Sequence, residues 1–159
     1  MLNEAIVSGS HHFSMRGLPS GESISPGKKI LIISQENDAR VLFETLVEIW
    51  GYRSTVCASP QDFLRRAAPE PPALILLDSV VPFEAHLANV RRLRRPRFLR
   101  RIPLFVLSGF SEPRFKNMSL AVGADGFLVK PIDFDALENL LRKTADAAIG
   151  NFPFGGKNR

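Results

Sequence analysis

An α/β fold, a doubly wound parallel sheet of five strands covered by helices on both faces, is predicted by three features of the 159-residue sequence. Uniformly apolar runs such as Ala73-Leu74-Ile75-Leu76-Leu77 have the length of strands but no in/out alternation, which suits strands buried on both faces. These runs alternate with segments of helical apolar spacing, and right-handed crossovers join five such strands and five helices most economically. The runs also end abruptly in polar groups, at Asp78, Ser108 and Lys130, and ligands in open α/β sheets collect beyond the carboxyl ends of strands.

Residues 1–27 are rich in Ser, Gly and polar side chains and read as a flexible leader; His11 and His12 fall there without nearby partners for a metal. Lys28-Lys29 opens the first strand, Ile30-Leu31-Ile32-Ile33, followed by the loop Ser34-Gln35-Glu36-Asn37. Asp38 is placed to cap a helix running to Trp50, with Val41, Leu42, Leu46 and Ile49 as its apolar face and Gly51 as its end. Tyr52 to Cys57 is the second strand. Ser59-Pro60 starts the second helix, with Ser as cap and Pro in the first turn, carrying Phe63 and Leu64 inward. The cluster Pro69-Glu70-Pro71-Pro72 breaks the chain ahead of the third strand, which ends at Asp78.

After Pro82, the residues Phe83, Leu87, Val90 and Leu93 mark one face of a third helix, stopped by Pro96; His86 near its start reads as a surface imidazole. Pro103 to Leu107 forms the fourth strand, a helix follows from about Pro113 to Val122, and Gly123-Ala124-Asp125-Gly126 turns into the short strand Phe127-Leu128-Val129. Asp133 caps a last helix that buries Phe134, Leu137, Leu140 and Leu141. The expected organisation is a folded domain over 28–146 with a flexible tail over 147–159.

A chain with 45% apolar residues and mean hydropathy near zero describes a globular protein without a segment long enough to span a membrane, so a cytoplasmic location is expected. The single cysteine, Cys57, excludes an internal disulfide and reads as an inert buried thiol. The net charge of +5 is local: residues 91–101 hold seven arginines and no acid, and without them 14 basic face 16 acidic residues. That run reads as a solvated face with local ion pairs. Nucleic acid is not the expected partner, since Phe98 is the one interleaved aromatic and Pro96 and Pro103 break any recognition helix. No Gly-x-Gly-x-x-Gly, phosphate-loop lysine or Gly-x-Ser-x-Gly motif suggests an enzyme of small-molecule metabolism.

The strand ends gather an acid, a hydroxyl and an amine. Asp78 could accept a phosphoryl group, Ser108 and Lys130 could donate to its oxygens, and Gly109 leaves space for a phosphate; an acid that caps a strand and meets water is the plain alternative. On these residues, Lys28 to Thr144 resembles the receiver domain of two-component response regulators, a flavodoxin-like (βα)5 fold. Asp78 falls at the phosphoacceptor position with Pro82 four residues on, Ser108 at the Ser/Thr that closes on the phosphate, and Lys130-Pro131 at the Lys-Pro pair, where a cis peptide is implied. Phe127 stands where the family has its aromatic switch residue, and Gly51-Tyr52 and Gly123 to Gly126 look like family turns.

The resemblance also implies Mg²⁺, held by Asp78, the backbone carbonyl of Val80 and an acidic pair after the first strand. Here Ser34 and Gln35 stand at that pair, with Glu36 one position late, and Ala85-His86 replaces the common Asp-Gly turn. Losing two carboxylates could weaken Mg²⁺ binding thousands-fold, at about 4 kcal/mol per charge and about 1.4 kcal/mol per factor of ten. The implied function is a single-domain response regulator, phosphorylated by a histidine kinase or phosphotransfer protein and signalling to a downstream protein partner. A docking module that works without phosphorylation is the alternative.

Overall fold

The computed structural model describes residues 28–66 and 70–145; the leader with His11 and His12, Pro69 and the C-terminal tail lie outside the described residues. Strands β1 (Lys29–Ile33), β2 (Arg53–Cys57), β3 (Leu74–Asp78), β4 (Leu104–Ser108) and β5 (Gly126–Val129) form one all-parallel sheet in the order β2-β1-β3-β4-β5. Every residue of β3 and β4 is buried, as their unbroken apolar runs require. Asp78 pairs in register with Leu107 and Ser108 with Val129, so three strands finish at one rim.

The helices are α1 (Asn37–Ile49), α2 (Pro60–Leu64), α3 (Phe83–Arg94), α4 (Pro113–Ala121) and α5 (Phe134–Thr144), with a 3₁₀ turn at Arg97–Leu99. Period two along the strands divides the core. Ile30, Ile32, Leu74, Leu76, Phe105 and Leu107 face α1 and α5, meeting Phe43, Val47, Trp50, Leu137 and Leu141. Leu31, Ile33, Ile75, Leu77, Leu104 and Val106 face the other way, onto Phe63, Val90, Leu93 and Leu99. Burying one such side chain contributes about 1.5–3 kcal/mol. Cys57 is a free buried thiol whose pKa burial pushes up. Among the described residues no helix is long and apolar enough to cross a membrane.

Ser59 caps α2 by accepting from the Asp62 N–H, and Asp133 caps α5 by accepting from Asp135 and Ala136. Gly51, with φ 99°, terminates α1 from the left-handed region. Three expectations need correction. Glu36, not Asp38, occupies the cap position of α1 and makes no side-chain cap bond, while Asp38 lies in the first turn. Val41, Leu42 and Ile49 are exposed, because the larger Phe43 with Val47 takes the inner face. Phe134 is exposed at the first position of α5, where Leu137 and Leu141 further along take the buried places.

Candidate functional site

Three loops leave the carboxyl rim with their backbones tied to the neighbouring strand, and this fixes the side chains they carry. Ser34 N–H bonds the Cys57 carbonyl, Ser79 N–H the Leu107 carbonyl and Lys130 N–H the Ser108 carbonyl. Each bond extends a ladder by one residue, so the groups after β1, β3 and β5 converge around the end of β4. The Lys130–Pro131 peptide is cis, as is Val81–Pro82.

Asp78 sits at the centre, buried at 5% exposure. Its Oδ1 lies 2.7 Å from the Lys130 ammonium. Its Oδ2 accepts a hydrogen bond of 2.7 Å from the Ser34 hydroxyl. Ser34 Oγ in turn accepts from the Glu36 N–H at 3.1 Å, and the Arg40 guanidinium donates to the Ser34 carbonyl at 2.6 Å. Ser34 is thus a positioned donor to Asp78. A buried carboxylate needs such partners, since burial without them is costly.

Ser108 is fully buried beside this group. Its Oγ accepts from Ser79 Oγ at 3.0 Å and from the Phe110 N–H at 2.9 Å. Gly109 is exposed, and a Cβ there would meet nothing within 4 Å, so the space is open even without glycine. Gln35 and Glu36 are exposed and Val80 is partly buried. Phe127, three residues before Lys130, is partly buried against the face lined by Leu104 and Val106.

His86 departs from its expected surface position. It is fully buried, with Nε2 3.0 Å from Ser119 Oγ of α4. It also packs at 4.9 Å against Phe83, which meets Phe110 and Phe115 in an aromatic cluster. Burial holds its pKa down at about 4, against a smaller upward pull from the Asp78 charge. The i, i+3 spacing from Phe83 and the i, i+4 spacing to Val90 could have placed His86 on the apolar stripe. Polarity alone argued otherwise. Ser79 adjoins Asp78 and was legible as a hydroxyl at a strand end; Arg40, one turn into α1, carried no pattern that pointed to Ser34.

Chemically, the rim offers a carboxylate with an ammonium and hydroxyls alongside and open space beyond Gly109. The comparisons with known proteins agree with this geometry. Residues 30–142 match the model of the response regulator receiver domain. The chain is 31% identical over 122 residues to the phosphate regulon transcriptional regulatory protein PhoB of Pseudomonas aeruginosa, covering 74% of this chain and 53% of the relative. It is 30% identical over 116 residues to protein RcaC of Microchaete diplosiphon, covering 72% and 18%. It therefore spans about half or less of these curated relatives. Among solved structures, the receiver domain of sensor histidine kinase PA1611 from Pseudomonas aeruginosa superposes with a TM-score of 0.66 at 23% identity, over 76% of this chain and 99% of that one. The chemotaxis response regulator CheY4 of Vibrio cholerae gives 0.66 at 24%, over 74% and 98%.

The PA1611 receiver carries a magnesium ion in its active-site cleft. The residues present here do not fit a resident Mg²⁺. No group of three or more His, Cys, Asp or Glu side chains could hold a metal among the described residues. The one buried carboxylate at the rim already has an ammonium on one oxygen and a hydroxyl on the other. Mg²⁺ favours anionic oxygens in a strict octahedron, and Ser34 offers a neutral oxygen already engaged by Glu36.

Proposed function

Because the chain belongs to the response regulator receiver domain family, we propose that it accepts a phosphoryl group on Asp78 from the phosphohistidine of a histidine kinase or phosphotransfer protein and passes the change on through protein contacts. In this reading a carboxylate oxygen of Asp78 forms the new P–O bond. The P–N bond to the donor imidazole breaks, and the imidazole keeps the electron pair and takes up a proton. Lys130 meets the incoming negative charge from 2.7 Å. Ser108, freed from Phe110 and Ser79, donates a hydrogen bond to a phosphoryl oxygen, and Phe127 follows as the switch residue. The Lys130–Asp78 contact at the rim carries the reading, because it brings together two of the three groups the transfer uses. No step is assigned to a divalent cation.

Incubating the protein with acetyl phosphate or phosphoramidate, with and without Mg²⁺, and weighing it intact is expected to show one added phosphoryl group. Asp78→Asn is expected to show none. No adduct from these donors, nor from a phosphorylated phosphotransfer domain, overturns the assignment. The Ser34–Asp78–Lys130 closure favours a second reading, in which the domain docks its partner without phosphorylation. On that reading Asp78→Asn binds the partner unchanged.

A further inference from the structure

At the amino edge of the sheet, opposite Asp78, α3 ends and the chain turns through Pro96 and the 3₁₀ segment before entering β4. Arg94 is not part of the solvated face expected of the arginine run. It is partly buried, pairs with Asp125 Oδ2 at 2.7 Å, and donates to the carbonyls of Leu99, Ile102 and Gly123 at 2.7–2.9 Å. Leu99 is fully buried beneath the turn. The segment between Arg95 and Ile102 is thereby clasped to the body of the protein from inside.

What this clasp holds outward is cationic. Arg91, Arg95, Arg97, Arg100 and Arg101 are exposed, and among the described residues none of them pairs with a carboxylate, contrary to the expected local ion pairs. Phe98 stands among them at 38% exposure, the one exposed large apolar side chain between Val81 and Met118. We propose that this turn is a docking site for single-stranded nucleic acid, with the five guanidiniums on phosphates and the Phe98 ring against a base.

Guanidinium matches phosphate bidentately, and a rigid turn loses little freedom on binding. Arg91 and Arg95 sit one helical turn apart, about 6 Å of rise, on a ridge that continues into the turn. The proline breaks that argue against a groove-reading helix do not bear on a single strand, which is held by charge and stacking. A lipid surface is a poorer match, because a single aromatic gives little apolar insertion. An acidic protein leaves the exposed ring without a role.

The test is fluorescence anisotropy of the full chain with a fluorescein-labelled oligothymidylate about 20 nucleotides long. Five phosphate contacts give a salt slope near −3.5, so going from about 50 to about 200 mM salt weakens binding about 100-fold. Arg97→Glu with Arg101→Glu is expected to weaken it by at least about tenfold, whereas Lys116→Glu with Lys143→Glu, of equal net charge, changes it by less than about threefold. Phe98→Ala is expected to lose about tenfold at each salt concentration and keep the slope. Urea midpoints of the variants check the fold. The proposal falls if nothing binds at about 50 mM salt, if both charge reversals weaken binding equally, or if phosphatidylserine vesicles or polyglutamate bind as tightly as the oligonucleotide.

Discussion

Ser34 meets the Asp78 carboxylate with a hydrogen bond, and the consequences can be measured at that residue. Ser34→Asp sets a second carboxylate beside Asp78 and removes the donor to Oδ2. One such charge is worth about 4 kcal/mol at an effective dielectric near 20, so Mg²⁺ affinity by titration calorimetry is expected to rise by about 100-fold or more. No gain would mean that Lys130 alone decides the charge of the site. His86 makes a second prediction at this scale. Its folded pKa, about 4, lies below the ordinary value of 6.5, so the unfolded chain takes up the proton first as pH falls. The stability present above about pH 6.5 is therefore lost progressively down to about pH 4, by on the order of 3 kcal/mol. His86→Leu is expected to flatten that acid limb in urea melts at pH values spanning the window, at a constant cost of about 1 kcal/mol for the unpaired Ser119 hydroxyl.

Among the elements, α1 and the turn after α3 show why sequence patterns stop short of the structure. Helix α1 has two apolar stripes: Val41, Leu42, Leu46 and Ile49 on one side, Phe43, Val47 and Trp50 on another. Spacings of three and four residues satisfy both, so periodicity could not choose. Burial went to the stripe whose aromatic rings fill the space above Ile30 and Ile32. The arginine run was legible as charge but not as architecture, because the partners of Arg94 are carbonyls and an acid up to 31 residues away. Asp125 is 2% exposed in that pair, and removing one member of a buried ion pair leaves the other charge stranded. Arg94→Met is expected to cost about 3–5 kcal/mol in a urea melt, and Asp125→Asn with Arg94→Met in the same chain to recover part of it. Fully additive losses would show that the two side chains do not act as one.

Over the whole molecule, the sheet is the wall shared by two cores, and both should melt together. Trp50, the one tryptophan, reports on the α1/α5 side, whereas Leu93 belongs to the other. Leu93→Ala is expected to lower the urea midpoint seen by Trp50 fluorescence and by far-UV circular dichroism equally, by about 2–4 kcal/mol. Separate midpoints would mean that the faces unfold independently. At this scale the chain was most legible: the apolar runs and the polar residues ending them placed all five strands within a residue or two. Asp78 and Lys130 came into contact, and Ser108 was set nearby on Ser79, because parallel strands put their carboxyl ends on one side. What stayed hidden were contacts between loops, Ser34 to Asp78 and Ser79 to Ser108, which depend on register rather than pattern. Strand polarity has one more consequence. Five residues of strand, about 17 Å, separate the Asp78 rim of the sheet from the arginine-bearing edge. Two visitors that each present phosphate can therefore sit on this small body at the same time without touching.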